Sequence, residues 1–253
     1  SDEMLSGNVS RTASARSQPF RVLICLLLLT ALPSMAGPIT SHGDAPSERS
    51  HFSSTAGETV IWSQLPTGWA YCSQYFPDLY PEYDSGVAGD FQFDSYEFPK
   101  IVRWWGDYWN STLTPPFAVG FEIYIYEDDG TGNAPTLPQH TSAIRSYEYP
   151  YGTFDETEDG DYWRYECDLP GYLTCFPGQK YWIEIRRVME WEPYGQWGWS
   201  ESEPVVMSPL VQGFDGLGVE WWTPQPSDVA FQLIYVWPPA LERTTWADIK
   251  TIF

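Results

Sequence analysis

Three stretches of this chain repeat an apolar residue at every second position. Phe121, Ile123 and Ile125 alternate with Glu122, Tyr124 and Tyr126, and Tyr181, Ile183 and Ile185 alternate with Trp182, Glu184 and Arg186. Val229, Phe231, Leu233 and Tyr235 do the same with Ala230, Gln232 and Ile234. A period of two turns one face of a strand to a core and the other to solvent. Pro and Gly punctuate the intervals, at Thr114-Pro115-Pro116, Asp128-Asp129-Gly130, Asp159-Gly160, Pro177-Gly178 and Pro224 with Pro226. No segment between Glu58 and Trp237 keeps a helical period. The pattern predicts an all-β domain of about nine or ten short strands, packed as a two-sheet antiparallel sandwich of jelly-roll kind, with a closed barrel as the alternative.

The ends differ from this body. Arg11, Arg16 and Arg21 precede an apolar run from Val22 to Leu32, and Ser34-Met35-Ala36 supplies a small-x-small site. That order reads residues 1–36 as a secretory signal peptide, with a run too short to span the ~30 Å hydrocarbon core. Residues 37–57 are Ser-, Pro- and Gly-rich with hardly an apolar side chain, which reads as a disordered spacer. The domain is expected over 58–237. In the last stretch, 238–253, Thr244 to Lys250 spaces Trp246 and Ile249 helically, as a short helix or a tail.

Export sets the rest of the reading. The formal net charge of −21 repels nucleic acid and anionic membrane surfaces and suits cations, neutral glycans or simple solubility. The expected partner is an extracellular glycan or a matrix or surface component, with no nucleic acid and no membrane insertion after cleavage. Beyond the leader lie Cys72, Cys167 and Cys175. In an oxidising compartment Cys167 and Cys175 are the expected disulfide, because Pro170 and Gly171 let the chain turn back, and a loop so short is worth roughly 2.5 kcal/mol. Cys72 is left unpaired.

Several segments carry a resemblance. Residues 87–91 (VAGDF), 103–109 (RWWGDYW), 121–130 (FEIYIYEDDG), 163–165 (WRY), 180–185 (KYWIEI), 197–199 (WGW) and 228–233 (DVAFQL) are similar to those of a family of uncharacterised secreted bacterial β-sandwich modules, over most of 59–237. The Thr245-Trp246-x-x-Ile249-Lys250 ending also looks like the tails of exported proteins of environmental bacteria. The resemblance implies a non-catalytic extracellular domain and carries over no catalytic residue.

The residue supply excludes several chemistries. His42 and His51 fall in the spacer and His140 alone lies in the domain, which leaves no zinc site built on several His and only one base for a Ser-His-Asp triad. A glycoside hydrolase needs two placed carboxyls, and the sequences Glu82-x-Asp84, Glu127-x-Asp129 and Glu166-x-Asp168 begin a laminarinase-like Glu-x-Asp-x-Glu signature without completing it. Calcium has a better-shaped candidate. Asp155, Thr157 and Asp159, with Gly160 and then Glu166, follow the spacing of a calcium loop with Thr157 in place of Asp or Asn, although the segment after it reads as strand. Asp128, Asp129 and Asn133 form a weaker cluster that also reads as a hairpin turn.

Aromatic surplus, with 14 Trp, is the strongest hint of binding. If Val102 and Trp104 face inward, Trp105 faces outward beside Tyr108 and Trp109 in a following turn, and Trp221 with Trp222 offers a second patch. Outward rings flanked by acids and amides hold neutral sugars through their C–H faces and hydroxyls. The sequence therefore points to an exported, glycan-binding, non-catalytic sandwich. A structural or adhesive protein and a carboxylate-dependent hydrolase are the alternatives.

Overall fold

The computed structural model describes residues 57–77, 83–111, 113–214 and 221–237. The expected signal segment, the spacer other than Gly57, and the stretch 238–253 lie outside the described residues. Among the described residues no helix is long and apolar enough to cross a membrane.

Among the described residues fifteen strands, more than the nine or ten expected, form two sheets. The excess comes from short pieces such as β3 (Gln74–Tyr75) and β14 (Asp228–Val229), which are too brief to show a period. Sheet one runs β1 (Glu58–Gln64), β15 (Phe231–Val236), β5 (Ile101–Trp109), β11 (Gln196–Ser202) and β14, with β2 (Ala70–Cys72) on β11. On the other side of β5 lie β9 (Tyr162–Asp168) and then β8 (Asp155–Asp159). Sheet two runs β13 (Trp222–Pro224), β12 (Val211–Gly213), β4 (Gly86–Gln92), β10 (Lys180–Val188), β6 (Gly120–Glu127) and β7 (Arg145–Tyr149). Every pairing is antiparallel except β3 with β10. From β4 to β6 and again from β9 to β12, successive strands alternate between the sheets. This is the two-sheet sandwich that the alternation predicts.

The core follows the alternation. Ile183 and Ile185 of β10 stand opposite Ile125 and Ile123 of β6, and all four are buried against Val102, Trp104, Trp197, Trp199 and Phe231 of sheet one. Phe121 is ringed edge-on by Trp104, Tyr165 and Trp197 at 4.8 to 5.2 Å between centroids, the geometry that aromatic quadrupoles favour. Strand β5 forks at its middle: Ile101 to Trp104 pair with β15, and Gly106 to Trp109 pair with β11. Gly106 at the fork has to lack a side chain, because a Cβ there would sit 2.4 Å from the Trp197 ring.

Several charged side chains are buried as well. Arg187 is fully buried in the core, its guanidinium 4.2 Å from the Phe121 centroid and 3.4 Å from Glu156. On the outer face of sheet two, Glu184 takes a 2.6 Å bond from the Tyr126 hydroxyl and lies 3.2 Å from His140 Nε2. Burial pushes the Glu184 carboxyl up, but His140, Arg186 and Tyr126 together hold it below its usual value, so it remains an ion.

Candidate functional site

Two shallow concavities lie where β7 hands the chain to β8. Pro150 to Thr153 make a tight turn, closed by the Thr153 amide and hydroxyl on the Pro150 carbonyl at 3.1 and 2.7 Å, with Gly152 at φ +86°. Few residues other than Gly take that conformation cheaply. The turn lifts Tyr151 into solvent, 57 % exposed, while Phe154 three residues on returns to the core, 5.1 Å from Phe121.

Two cavities flank this strap. One, of about 220 Å³, is lined by Pro116, Tyr151, Gly152, Phe154, Asp155 and Glu156. The other, of about 430 Å³, is lined by Glu58 and Ile101, the 152–155 strap, and Glu166 to Asp168. Gly152, Phe154 and Asp155 belong to both, so the two hollows adjoin across the strap at Asp155 and together make a cleft.

The cleft's carboxylates are not equivalent. Glu156 is fixed: Tyr108 donates its hydroxyl at 2.9 Å and Arg187 lies beneath at 3.4 Å. Burial above all raises the Tyr108 hydroxyl far over its ordinary value, so it stays a neutral donor. Glu166 takes a 2.5 Å charge-assisted bond from Arg103, which is braced in turn by Gln232 at 3.0 Å. Asp155 and Asp168 are exposed. Such a cleft can accept hydrogen bonds from hydroxyls along its length and offer one ring, Tyr151, to a C–H face. Burial above all pushes the carboxyls of Asp107 and Asp228 up, and neither residue lines either cavity.

Residues 60–246 match the model of a domain of unknown function, DUF7901. This chain belongs to that family. No curated protein matches it.

The DUF7901 domain redistributes the residues singled out from sequence. The expected Trp105, Tyr108 and Trp109 platform does not form. Trp105 has the outward parity, but it is 1 % exposed and its indole N–H donates to Asp159 at 2.7 Å. No turn follows it: β5 runs on to Trp109, which sends Tyr108 to the core face, 4.9 Å from Phe117. Trp109 is half-buried over Gly198. Trp221 is exposed, whereas Trp222 packs on Tyr126 and Ala88 over sheet two.

The calcium-type spacing folds as the β8–β9 hairpin. Asp155 and Glu166 become register partners, but Thr157 accepts from Arg164 and Asp159 from Trp105, and Glu166 is committed to Arg103. No group of three or more His, Cys, Asp or Glu among the described residues is gathered to hold a metal ion. Asp128 likewise serves its own turn, accepting from the amides of Gly130 and Gly132.

The expected Cys167–Cys175 bridge is not formed: both are free, buried thiols, and Cys72 is free as well. Strand β9 holds Cys167 opposite Val102, while Cys175 is tied to Glu97. Burial first of all pushes Cys167 and Cys175 up to about 12 and Cys72 to about 11. With so little thiolate, all three should resist alkylation in the folded domain near neutral pH and react once it is unfolded. Peptide mapping after native and denatured alkylation reads this directly, and fast native labelling of any of them would contradict it.

Sequence reasoning missed Tyr151, Phe154 and Glu156. A turn signature, Pro150-Tyr151-Gly152, placing an aromatic residue at an apex, was the available signal for the first.

Proposed function

We propose that this DUF7901 domain is an exported, non-catalytic module that binds a neutral glycan in the cleft around Asp155. The observation that carries the reading is the pairing of an exposed ring, Tyr151, with an exposed carboxylate, Asp155, in one cavity, beside a Glu156 that Tyr108 and Arg187 hold in place. Sugars are recognised by that combination: the ring packs on C–H groups, and an accessible carboxylate accepts from hydroxyls. The net charge of −21 disfavours acidic polymers. Bacterial origin and secretion, implied by the leader and by the family resemblance, complete the proposal. Assembly through the edge of sheet one is poorly served by β8, whose sequence DETED blunts that edge with charge.

Calcium is not required by this reading, since Glu156 already has its partners. Melting curves in millimolar calcium and in EDTA are expected to coincide, and a higher melting temperature in calcium would restore a metal to the account.

The direct test is titration of neutral oligosaccharides into the domain and into Tyr151→Ala. The variant should bind about ten-fold more weakly with an unchanged melting temperature, because an exposed ring contributes little to the core. Equal affinity of parent and variant would remove Tyr151, and with it the cleft, from the proposal.

A further inference from the structure

We infer that the ligand is an extended, soluble polysaccharide chain, carried beyond the cleft by exposed aromatic rings at the same end of the sandwich. This rests on the cleft reading and adds the length and form of the ligand. Tyr172, Tyr235 and Trp237 follow one another at centroid separations of 6.3 and 5.2 Å, and Trp237 is 61 % exposed. Tyr96 and Phe176 form a second exposed pair at 5.6 Å, held together by the backbone bridge of Glu97 to Cys175.

The track is continuous with the cleft. Glu58, which lines the larger cavity, is the register partner of Val236, between Tyr235 and Trp237. The Trp237 amide donates to Gly57 at 2.8 Å, and the Tyr172 hydroxyl donates to the Val236 carbonyl at 3.4 Å. Asp168, at the other wall of that cavity, precedes Tyr172 by only the turn Leu169-Pro170-Gly171. A chain leaving the cleft past Asp168 and the 169–171 turn therefore meets Tyr172, the first of the rings.

Ring chemistry and tilt select the occupant. The exposed rings of the track are Tyr172 and Trp237, with Tyr235 half-buried between them, and each offers a flat apolar face and a polar edge, where a docked helix or strand would need aliphatic side chains in a groove. Tyr172 and Tyr235 are inclined at 39° and Tyr235 and Trp237 at 82°, so they present no common plane. A flat crystalline face could rest on one ring at a time. A single twisted chain can meet each ring in turn.

Length dependence tests this. Calorimetric titration of the domain with cello- and malto-oligosaccharides, from disaccharide to octasaccharide, should show affinity rising by at least about ten-fold once the chain outgrows the cleft, as adjoining contacts add. The double variant Tyr235→Ala/Trp237→Ala should lose that gain and keep disaccharide binding. Tyr172→Ala serves in its place if the double variant melts lower than the parent. Equal affinity at all lengths, or unchanged long-chain binding in the variants, overturns the extended ligand while leaving the cleft reading in place. Binding to no member of either series overturns both.

Discussion

Replacing Trp105 by alanine should destabilise the domain by about 3 to 5 kcal/mol, the usual loss for a large side chain removed from a core. The ring is almost wholly buried on the outer face of sheet one, and its N–H is the partner of Asp159. Alanine would leave a cavity beside β5 and an Asp159 carboxylate without its donor. Trp221→Ala is the matched control, since that ring is 43 % exposed, and it should cost less than about 1 kcal/mol. Urea denaturation of the two variants reads both numbers. A loss below about 1 kcal/mol at Trp105 would mean that its ring is a surface feature after all.

That contrast shows where periodicity ceases to inform. Alternation assigned the inward residues of β6, β10 and β15 and the parity of Trp105, because the core face of a strand is fixed by its own sequence. It did not reveal whether the opposite face meets water. Trp182, Glu184 and Arg186 alternate with Ile183 and Ile185 as solvent-facing residues should, yet all three are buried. The 128–144 segment and β12–β13 cover them: Asp128 accepts from the Trp182 indole, and His140 reaches Glu184. A covering made by residues distant in sequence leaves no local signature in the strand it covers.

The site was legible in the same uneven way. Asp155 and Glu166 were picked out and do line the cleft, but as register partners in a hairpin. The spacing that suggested a metal loop is also what two paired strands joined at Gly160-Asp161 produce, with Asp155, Thr157 and Asp159 on one face of the first. Glu156 was invisible as a functional group because what fixes it, Tyr108 and Arg187, comes from β5 and β10. The aromatic row was invisible for a similar reason. Tyr172, Tyr235 and Trp237 look like ordinary strand and turn residues until pairing of β1, β5 and β15 sets them side by side.

Stability should fall as pH rises through neutrality, and Asp228 is the group to which the effect is traced. Burial pushes its carboxyl up to about 7, against the donating amides of Val229 and Val206 and with the nearby Asp90 charge raising it further. Unfolded, the same group titrates near its ordinary value of about 3.9. Below about pH 4 both states hold the proton and no penalty exists. As pH climbs, the unfolded chain releases the proton while the native state keeps it, so each unit costs about 1.4 kcal/mol until the native group ionises near pH 7. The full cost above that is about 4 kcal/mol, of which about 3 kcal/mol accrues between about pH 5 and about pH 8. Asp228→Asn stays neutral throughout and should lack this share of the slope. Its absolute stability is a poorer measure, because an amide nitrogen cannot accept from Gln64 and Val206 as the carboxylate oxygen does, and a lost buried bond costs about 1 to 3 kcal/mol of its own. Comparing denaturation free energies of parent and variant across that range separates the two effects. Parallel pH profiles would show that Asp228 is ionised in the folded domain at neutral pH and that its three donors outweigh its burial.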